Sequence, residues 1–305
     1  MDNSIKFLAG VDGGGTRTRI RIADTNGHEL GYAESGPSAL GQGIEQAWRH
    51  ISQALSDAFA QAGHTAVPYA NLALAAGLSG INNPNWARHF TQSAPPLAKL
   101  VTETDSFTAL LGAHGGCAGA IIIIGTGSVG VAHRGDGQRQ EVGGWGFPSG
   151  DEASGAWLGL QAIPIAQQAL DGRGAMTDFA RDLLDFCGGS APLLLSWLGG
   201  ANQAAYAQLA PIVVKHADTD PQAAALIRRA GLEVSRMIDA LDKSQTLPLT
   251  LCGGLARHML PYLTEAQSRR VRDARFDAAI GALLLIGHTI HDQRHEKLAG
   301  TETGR

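Results

Sequence analysis

The sequence contains few charged residues, few cysteines and no long apolar run. Charged residues make up 17% of the chain, and 24 Lys and Arg against 28 Asp and Glu give a formal net charge of −4. The basic residues are scattered, so the chain lacks the concentrated positive surface with which proteins bind nucleic acid. The longest apolar stretch, Ala278 to Gly287, is half the length of a membrane span. We therefore expect no nucleic-acid partner and no membrane partner.

The three cysteines, Cys117, Cys187 and Cys252, show neither the spacing of a zinc site nor that of a disulfide framework. The opening segment Met1–Lys6 also lacks the apolar core of a signal peptide. Both observations predict a cytoplasmic protein with reduced thiols.

The chain is long and rich in glycine. Its 305 residues, of which 44% are apolar, suggest two domains with substantial cores, because single cores stop growing near roughly 250–300 residues. The 40 glycines follow no repeat period. Such a surplus indicates many tight turns, or backbone that lies close to a ligand.

The hydrophobic pattern predicts the same opening elements in each half of the chain. Over the first 115 residues it predicts the order βββαβαβα, with strands at Lys6–Asp12, Arg17–Asp24, Glu29–Ser35, Asn71–Ala76 and Lys99–Glu103 and a first helix at Ile44–Ala62. Later it predicts strands at Ala120–Ile124, Val129–His133, Arg139–Val142 and Leu249–Cys252, and a closing helix at Asp277–Ile290. Between the last two strands it predicts a helical region from Ala153 to Leu241, broken at Gly172, at Gly188-Gly189 and at Gly199-Gly200. This internal repeat predicts two similar α/β domains that face each other across a cleft.

The first glycine turn follows a buried strand. Gly13, Gly14 and Gly15 allow backbone N–H groups to approach an anion without a Cβ in the way, and Thr16 adds a hydroxyl donor. Asp12 at the end of the strand would hold a hydrated Mg²⁺. The alternative is a plain glycine hairpin with an exposed aspartate.

The second glycine turn begins at Gly125 and matches the G-x-G-x-x-G pattern of dinucleotide sites. That fingerprint needs a helix next, whereas residues 129–146 show strand alternation and turns. The chain also lacks G-x-x-x-x-G-K-[ST], which excludes a P-loop. A second phosphate-binding hairpin, which mirrors the first, is the better interpretation.

Two carboxylates are further candidates. Asp105 follows a predicted strand, and it is either the N-cap of a helix at Ser106–His114 or the base for an attacking hydroxyl. Asp151 lies with Glu152 in a glycine-dense stretch, where it either caps the next helix or binds a polar ligand. The late strand and diglycine turn at Leu249–Leu255 offer a flat backbone surface that suits an adenine ring.

The motifs, taken together and in order, resemble those of a known family. They are D-G-G-G-T from Asp12, T-D from Thr104, G-T-G-S from Gly125, G-G-W-G from Gly143, G-D-E-x-S-G from Gly150 and G-G from Gly253. The chain resembles the sugar-kinase branch of the actin, hexokinase and heat-shock ATPase superfamily. More narrowly, it resembles the BadF/BadG/BcrA/BcrD-type ATPase family in its N-acetylglucosamine and glucosamine kinase members. The likeness runs from Lys6 to His288 and includes Asp171–Gly174, which matches the family's D-G-R-G element.

The resemblance implies an α/β fold of two actin-like (ribonuclease H-like) domains with a nucleotide cleft between them. It places the first domain at residues 1–115, completed by about 288–305, and the second domain, with a helical insertion, at 116–287. It also implies ATP and Mg²⁺ as cofactors, and we expect a homodimer.

The resemblance also gives roles to single residues. Asp105 falls at the position of the catalytic base, and Asp12 at that of the acid which holds Mg²⁺ through water. The ATP-binding positions are Gly13, Gly14, Gly15, Thr16, Thr126, Gly127, Ser128, Gly253 and Gly254. The sugar-binding positions are Ser79, Gly80, Asp105, Trp145, Gly146 and Asp151.

The chain departs from the family pattern at two positions. Relatives often carry Asn after a Gly-Pro-Ser turn as a sugar contact, whereas Ala39 follows Gly36–Ser38 here. This departure leaves the N-substituent of the sugar open. Ala153 stands where the family commonly has the second glycine of G-D-E-G-S.

The implied function is transfer of the γ-phosphoryl group of ATP to an amino sugar, foremost to the 6-hydroxyl of N-acetylglucosamine. Glucosamine kinase is the nearest alternative. A second class, an ATPase that activates an acyl-CoA reductase or dehydratase, would need cysteines to hold an iron–sulfur cluster. A third, a sugar-sensing repressor, would need a helix-turn-helix extension ahead of the first strand.

Overall fold

The structure of the protein, a computed structural model, describes residues 5–302, and the side chains of residues 5–290. The chain forms two compact units. The first comprises the described residues up to Cys117 and those from Ala274 onward, and the second comprises Ala118–Asp273. The chain thus returns to the first unit at Ala274, rather than at residue 288 as expected from the sequence. Of that expected closing segment, residues 303–305 lie outside the described residues.

The first unit contains the predicted order βββαβαβα, which the structure confirms. Its elements are β1 (Phe7–Gly13), β2 (Thr18–Asp24), β3 (Glu29–Ser35), α1 (Ile44–Gln61), β4 (Leu72–Leu78), α2 (Pro84–Gln92), β5 (Lys99–Glu103) and α3 (Asp105–His114). The strands form one sheet in the order β3-β2-β1-β4-β5, in which β1, β4 and β5 run parallel. The buried residues of α1 recur at helical spacing, and this face packs on the sheet.

The second unit repeats four of the five strands of the first sheet and adds a group of helices. Its elements are β6 (Gly119–Ile124), β7 (Ser128–His133), β8 (Arg139–Gly143), α4 (Gly155–Leu170), α5 (Asp178–Phe186), α6 (Ala191–Gly200), α7 (Gln203–Ala207), α8 (Ala210–His216), α9 (Pro221–Leu241), β9 (Leu249–Cys252), α10 (Ala256–Met259) and α11 (Glu265–Ser268). The sheet order β8-β7-β6-β9 reproduces β3-β2-β1-β4, with β9 parallel to β6 as β4 is to β1. The predicted repeat is therefore confirmed at the level of topology.

The closing helix α12 (Ala278–Glu302) belongs to the first unit, where it covers the face of the sheet opposite α1. It lies so close to β1 that a Cβ at Gly10 would overlap the carbonyl oxygen of Ala279. The apolar stretch from Ala278 to Gly287 forms the beginning of this helix, which packs on the core of the first unit. Within the described residues, no helix combines the length and apolar character needed to cross a membrane.

Candidate functional site

Three predicted site segments lie at one edge of the first sheet. Gly13 pairs with Leu78 across the parallel strands β1 and β4, and Gly77 pairs with Glu103 across β4 and β5. The segments that follow these strand ends are the glycine turn, Ser79-Gly80 and Asp105. The Ser79 N–H donates to the carbonyl oxygen of Gly13 at 3.0 Å, which joins the first two segments directly. The carboxyl edge of parallel strands is where ligands of open α/β sheets bind.

The first glycine turn is a tight hairpin with an exposed tip. The Gly14 N–H donates to the carbonyl oxygen of Arg17 at 3.1 Å and closes the turn, so this N–H is already engaged. The carbonyl oxygen of Gly14 accepts from the N–H groups of Ser38 and Ala39. Gly15 and Thr16 are exposed. Their backbone N–H groups and the Thr16 hydroxyl are thus the donors that the tip presents to an anion.

Asp12 is ion-paired with Arg19, a partner that the sequence analysis missed. The two residues are opposite each other in the β1–β2 register, and Arg19 Nε and Nη2 lie 2.9 and 2.5 Å from Asp12 Oδ2. Burial raises the pKa of Asp12, and the charge and hydrogen bonds of Arg19 oppose this shift. The hairpin turn fixes the register of β1 and β2 and thereby places Asp12 opposite Arg19. The opposite charges at these two positions could have revealed the ion pair from the sequence.

Asp12 offers one carboxylate to a particular kind of magnesium site. Among the residues whose side chains are described, no group of three or more His, Cys, Asp or Glu is arranged to hold a metal ion. Mg²⁺ usually keeps several waters and binds through one or two carboxylates together with substrate phosphates. Both hydrogen bonds from Arg19 go to Oδ2 of Asp12, and these donors therefore leave Oδ1 for a water on the ion. The donor set fits Mg²⁺ that arrives with a nucleotide.

Asp105 is the first residue of α3, and its alternative role as the N-cap is wrong. Thr104 is the N-cap, since its hydroxyl oxygen accepts from the Phe107 N–H at 3.1 Å. The half-buried Asp105 accepts from the Ser106 N–H through Oδ1 at 2.9 Å. Its carboxylate is therefore not required to start the helix, although an acid at this position is favoured by the helix dipole.

The second glycine turn and the diglycine turn lie side by side at the edge of the second sheet. Ile123 pairs with Cys252 across the parallel strands β6 and β9, and the two turns follow these strand ends. Gly253 has a φ of +96°, and a Cβ there would overlap the carbonyl oxygen of Ile124, so this position requires glycine. The second glycine turn is bonded to the N-terminus of α4, since the Gly155 N–H donates to the Gly125 carbonyl oxygen at 2.8 Å.

Ser128 lies inside the fold rather than on the turn. It is the first residue of β7, it is buried, and its hydroxyl donates to the carbonyl oxygen of Glu152 at 2.6 Å. A role in phosphate binding would therefore fall to the backbone of the turn and to the hydroxyl of Thr126.

A cavity of about 600 Å³ in the second unit adjoins both turns. Its lining residues are Gly125, Thr126, Gly155, Ala207, Ala210, Pro211, Val214, Lys215, Gly254, Leu255, Arg257 and His258. Apolar side chains from α7 and α8 form much of the wall, which suits a nucleotide base. The charged lining side chains, Lys215 and Arg257, are positive, which suits the phosphates. Arg257 Nε lies 3.0 Å from His258 Nε2, and burial followed by the Arg257 charge lowers the pKa of His258. Sequence reasoning found only the glycines and Thr126, because the helical insertion carries no motif.

Asp151 is buried, and its alternative role as a helix cap is also wrong. Ser154 caps α4 by accepting from the Trp157 N–H at 3.1 Å. Asp151 instead accepts from the Gly146 N–H through Oδ1 at 3.0 Å and from Gln203 Nε2 through Oδ2 at 2.9 Å. Burial raises the pKa of Asp151, and these hydrogen bonds oppose the shift.

The structure thus gathers the predicted residues into one group in each unit. Trp145 is in neither group, and 85% of its surface is exposed. The group in the first unit is Asp12, Gly13, Gly14, Gly15, Thr16, Ser79, Gly80 and Asp105. The group in the second unit is Thr126, Gly127, Ser128, Gly146, Asp151, Gly253 and Gly254.

The repeated sheet and its glycine turns define an α/β protein of the actin-like, ribonuclease H-like class. Within that class, the chain matches the model of the BadF/BadG/BcrA/BcrD ATPase family over residues 9–286 and belongs to this family.

Similar proteins include several kinases of amino sugars. The chain is 30% identical to glucosamine kinase of Vibrio cholerae over 289 residues, which cover 94% of this chain and 98% of the relative. It is 26% identical to N-acetyl-D-glucosamine kinase of Dictyostelium discoideum, with 82% of this chain and 86% of the relative covered. The crystal structure of a proposed N-acetylglucosamine kinase from Chromobacterium violaceum is similar with a TM-score of 0.88 and 47% identity, covering 93% of this chain and 99% of that one.

Proposed function

We propose that this protein transfers the γ-phosphoryl group of ATP to the 6-hydroxyl of N-acetylglucosamine and forms N-acetylglucosamine 6-phosphate. Its family and its relatives establish the broader class, an ATP-dependent sugar kinase. The observation that carries the proposal is the position of Asp105. This carboxylate, which does not cap its helix, shares one sheet edge with the exposed glycine turn and with Ser79-Gly80.

Phosphoryl transfer requires mainly positioning and electrostatic stabilisation from the protein. Asp105 accepts the proton of the attacking sugar hydroxyl. The tip of the first glycine turn, Gly15 and Thr16, donates hydrogen bonds to phosphate oxygens. Asp12 would hold Mg²⁺ through a water, and the ion would supply positive charge that neutralises the charge on the phosphates.

The second unit also carries residues that the sequence assigns to nucleotide and sugar binding. The cavity beside Gly254 has apolar walls for the base, and Thr126, which also lines it, donates to a phosphate. Asp151, with Gly146 and Trp145, faces the sugar, and its buried carboxylate accepts hydrogen bonds from hydroxyl groups. These assignments are supported by the burial of Asp151 and by the lining of the cavity.

Phosphorylation of glucosamine is the second candidate function. It is favoured by the likeness to the glucosamine kinase of Vibrio cholerae, which extends over 94% of this chain. The side chain at position 39 bears on the choice. Ala39 donates its N–H to the Gly14 carbonyl oxygen, beside the first glycine turn, and its methyl group offers no hydrogen bond to an N-acetyl group.

The test is a measurement of ADP release with glucosamine, N-acetylglucosamine, N-acetylmannosamine and glucose at one ATP concentration. We expect the highest kcat/KM with N-acetylglucosamine and a product that carries phosphate at position 6 by phosphorus NMR. A higher kcat/KM with glucosamine would establish the second candidate instead. No sugar-dependent ADP release with any of the four sugars would reject both.

A further inference from the structure

The Asp151 carboxylate joins three segments of the second unit. Oδ1 accepts from the Gly146 N–H at 3.0 Å, which fixes the G-G-W-G turn. Oδ2 accepts from Gln203 Nε2 at 2.9 Å and lies 2.6 Å from the position that a Cβ at Gly127 would occupy. The second glycine turn and the helical insertion therefore both contact one carboxylate oxygen.

Asp151 retains capacity for a ligand after these bonds are made. An ionised carboxylate has about four lone-pair sites, and the Gly146 and Gln203 donors use one site on each oxygen. The Ser128 backbone N–H adds a weaker contact that lowers the pKa of the group. The remaining sites are few, so the direction in which each oxygen points decides whether a sugar hydroxyl can reach it.

Gln203 is well placed to set that direction. It is the first residue of α7, which begins at the cap Asn202, whose side chain accepts from the Ala205 N–H at 3.0 Å. The helix packs closely on α4, since a Cβ at Gly159 would overlap the carbonyl oxygen of Tyr206. The amide of Gln203 therefore extends from a fixed backbone, unlike that of a side chain on a free loop.

We propose that Gln203 is a positioning residue of the sugar site. Its amide N–H group holds Asp151 Oδ2 against the second glycine turn, and this contact fixes the orientation in which the carboxylate accepts hydroxyl groups of the sugar. Gln203 itself does not contact the sugar in this arrangement. The inference rests on the proposed function, in which Asp151 binds sugar.

The test compares Gln203→Leu with Gln208→Leu, the same change at the exposed residue that directly follows α7. Gln203→Leu removes the donor at similar volume, and we expect the KM for sugar to rise on the order of tenfold. The KM for ATP should change less than twofold, as should both constants in Gln208→Leu. If Gln203→Leu does not fold, Gln203→Met takes its place with the same expectation.

Variants of Asp151 separate the two hypotheses. Asp151→Asn should raise the KM for sugar, and adding Gln203→Leu to it should change that constant less than twofold, because the two residues act through one contact. An unchanged KM for sugar in Gln203→Leu, with a raised one in Asp151→Asn, would overturn the role of Gln203 alone. An unchanged constant in Asp151→Asn, in an active kinase, would overturn the sugar-binding role of Asp151 and this inference with it.

Discussion

The capping of α3 by Thr104 separates two roles that the sequence alone left open for Asp105. Thr104 caps α3, and Asp105 lies one residue further on with a half-buried carboxylate. Since Asn keeps the shape of the side chain and the cap is a different residue, Asp105→Asn tests the chemistry without loss of the helix start. We expect a decrease in kcat of about 10²–10⁴-fold, the usual contribution of a general base. The affinity for ATP, measured by calorimetry, should be nearly unchanged.

The chain offers a matched control for this substitution. Helix α5 also begins with a capping threonine, Thr177, followed by an acid, Asp178, which is exposed. Asp178→Asn therefore removes an equivalent charge from the first turn of a helix, with the same small effect on the helix dipole. It should leave kcat within about twofold. A similar loss in both variants, or a kcat above a tenth of the parent value in Asp105→Asn, would contradict the role of Asp105 as base.

At the scale of secondary structure elements, helix α3 is held in place by contact with α12. The helices meet at glycines, and a Cβ at Gly281 would overlap the carbonyl oxygen of Thr108. Because the obstacle is backbone, no side-chain rotation can relieve it. We expect Gly281→Ala to lower the free energy of unfolding by about 1–3 kcal/mol, as overpacking usually does. It should also lower kcat, since α3 carries Asp105.

Gly287→Ala, in the same helix, is the control for helix propensity. A Cβ at Gly287 would meet no atom of the described residues within 4 Å. The substitution should therefore stabilise the protein by about 0.5–1 kcal/mol through the higher helix propensity of Ala. Urea denaturation measures both variants. Equal effects of the two substitutions would show that the close contact between α3 and α12 is not a constraint.

A buried ion pair connects the end of α9 with the segment after α11. Asp242 is 1% exposed, and its Oδ2 accepts from Arg270 Nη1 at 2.7 Å and from the Leu247 N–H at 2.8 Å. Burial by itself would raise the pKa of Asp242, but the hydrogen bonds from Ser244 and Leu247 and the charge of Arg270 outweigh it and lower the pKa. Asp242→Ala leaves a buried cation unpaired, and we expect a loss of about 3–5 kcal/mol in the free energy of unfolding.

The direction of the pKa shift also predicts how stability depends on pH. A folded-state pKa below the unfolded value gives stability that is present above about pH 4 and is lost as the pH falls through the folded pKa. The free energy of unfolding should thus fall with acidification below about pH 4, and it should fall less steeply in Asp242→Ala. Asp218→Ala, at an exposed position of the same unit, should leave both the stability and this slope unchanged. A parallel pH dependence in parent and Asp242→Ala would contradict the shift.

The strands could be predicted to within two residues because buried runs and period-two alternation mark them directly. The helical insertion was harder. Glycines marked the breaks near Gly172, Gly188 and Gly200, but the breaks at Gln208–Leu209 and Ala217–Asp220 carry no glycine. The break at Ala217–Asp220 is marked instead by Asp220, the cap of α9, and by Pro221 at the first position of that helix, whereas one sequence does not reveal how α7 and α8 pack. For the same reason the lining of the cavity from α7 and α8, and the contact of Gln203 with Asp151, were not predicted.

At the scale of the whole molecule, the repeat gives each unit a glycine turn at the edge of its sheet. The first unit contains Asp105 and the turn with Thr16, and the second contains the turn with Thr126 and the cavity beside Gly254. The sequence predicts that the two turns bind one nucleotide, since each half opens on the same meander. Replacing one threonine in each turn by a residue of the same size can therefore test whether both turns bind one nucleotide.

Thr16→Val and Thr126→Val each remove one hydroxyl at nearly constant volume, in the first and second unit respectively. If both turns bind phosphates of one nucleotide, each variant should weaken the binding of a non-hydrolysable ATP analogue, because a hydrogen bond to a charged group contributes about 1.5–3 kcal/mol. Calorimetry should show this loss for the ATP analogue in both variants, and a smaller one for adenosine, which has no phosphate. Thr246→Val, at an exposed position away from the turn, should bind the analogue as the parent does. Loss of affinity in one variant only would mean that the other turn has no part in nucleotide binding, and the symmetry of the two sheets would then not extend to function.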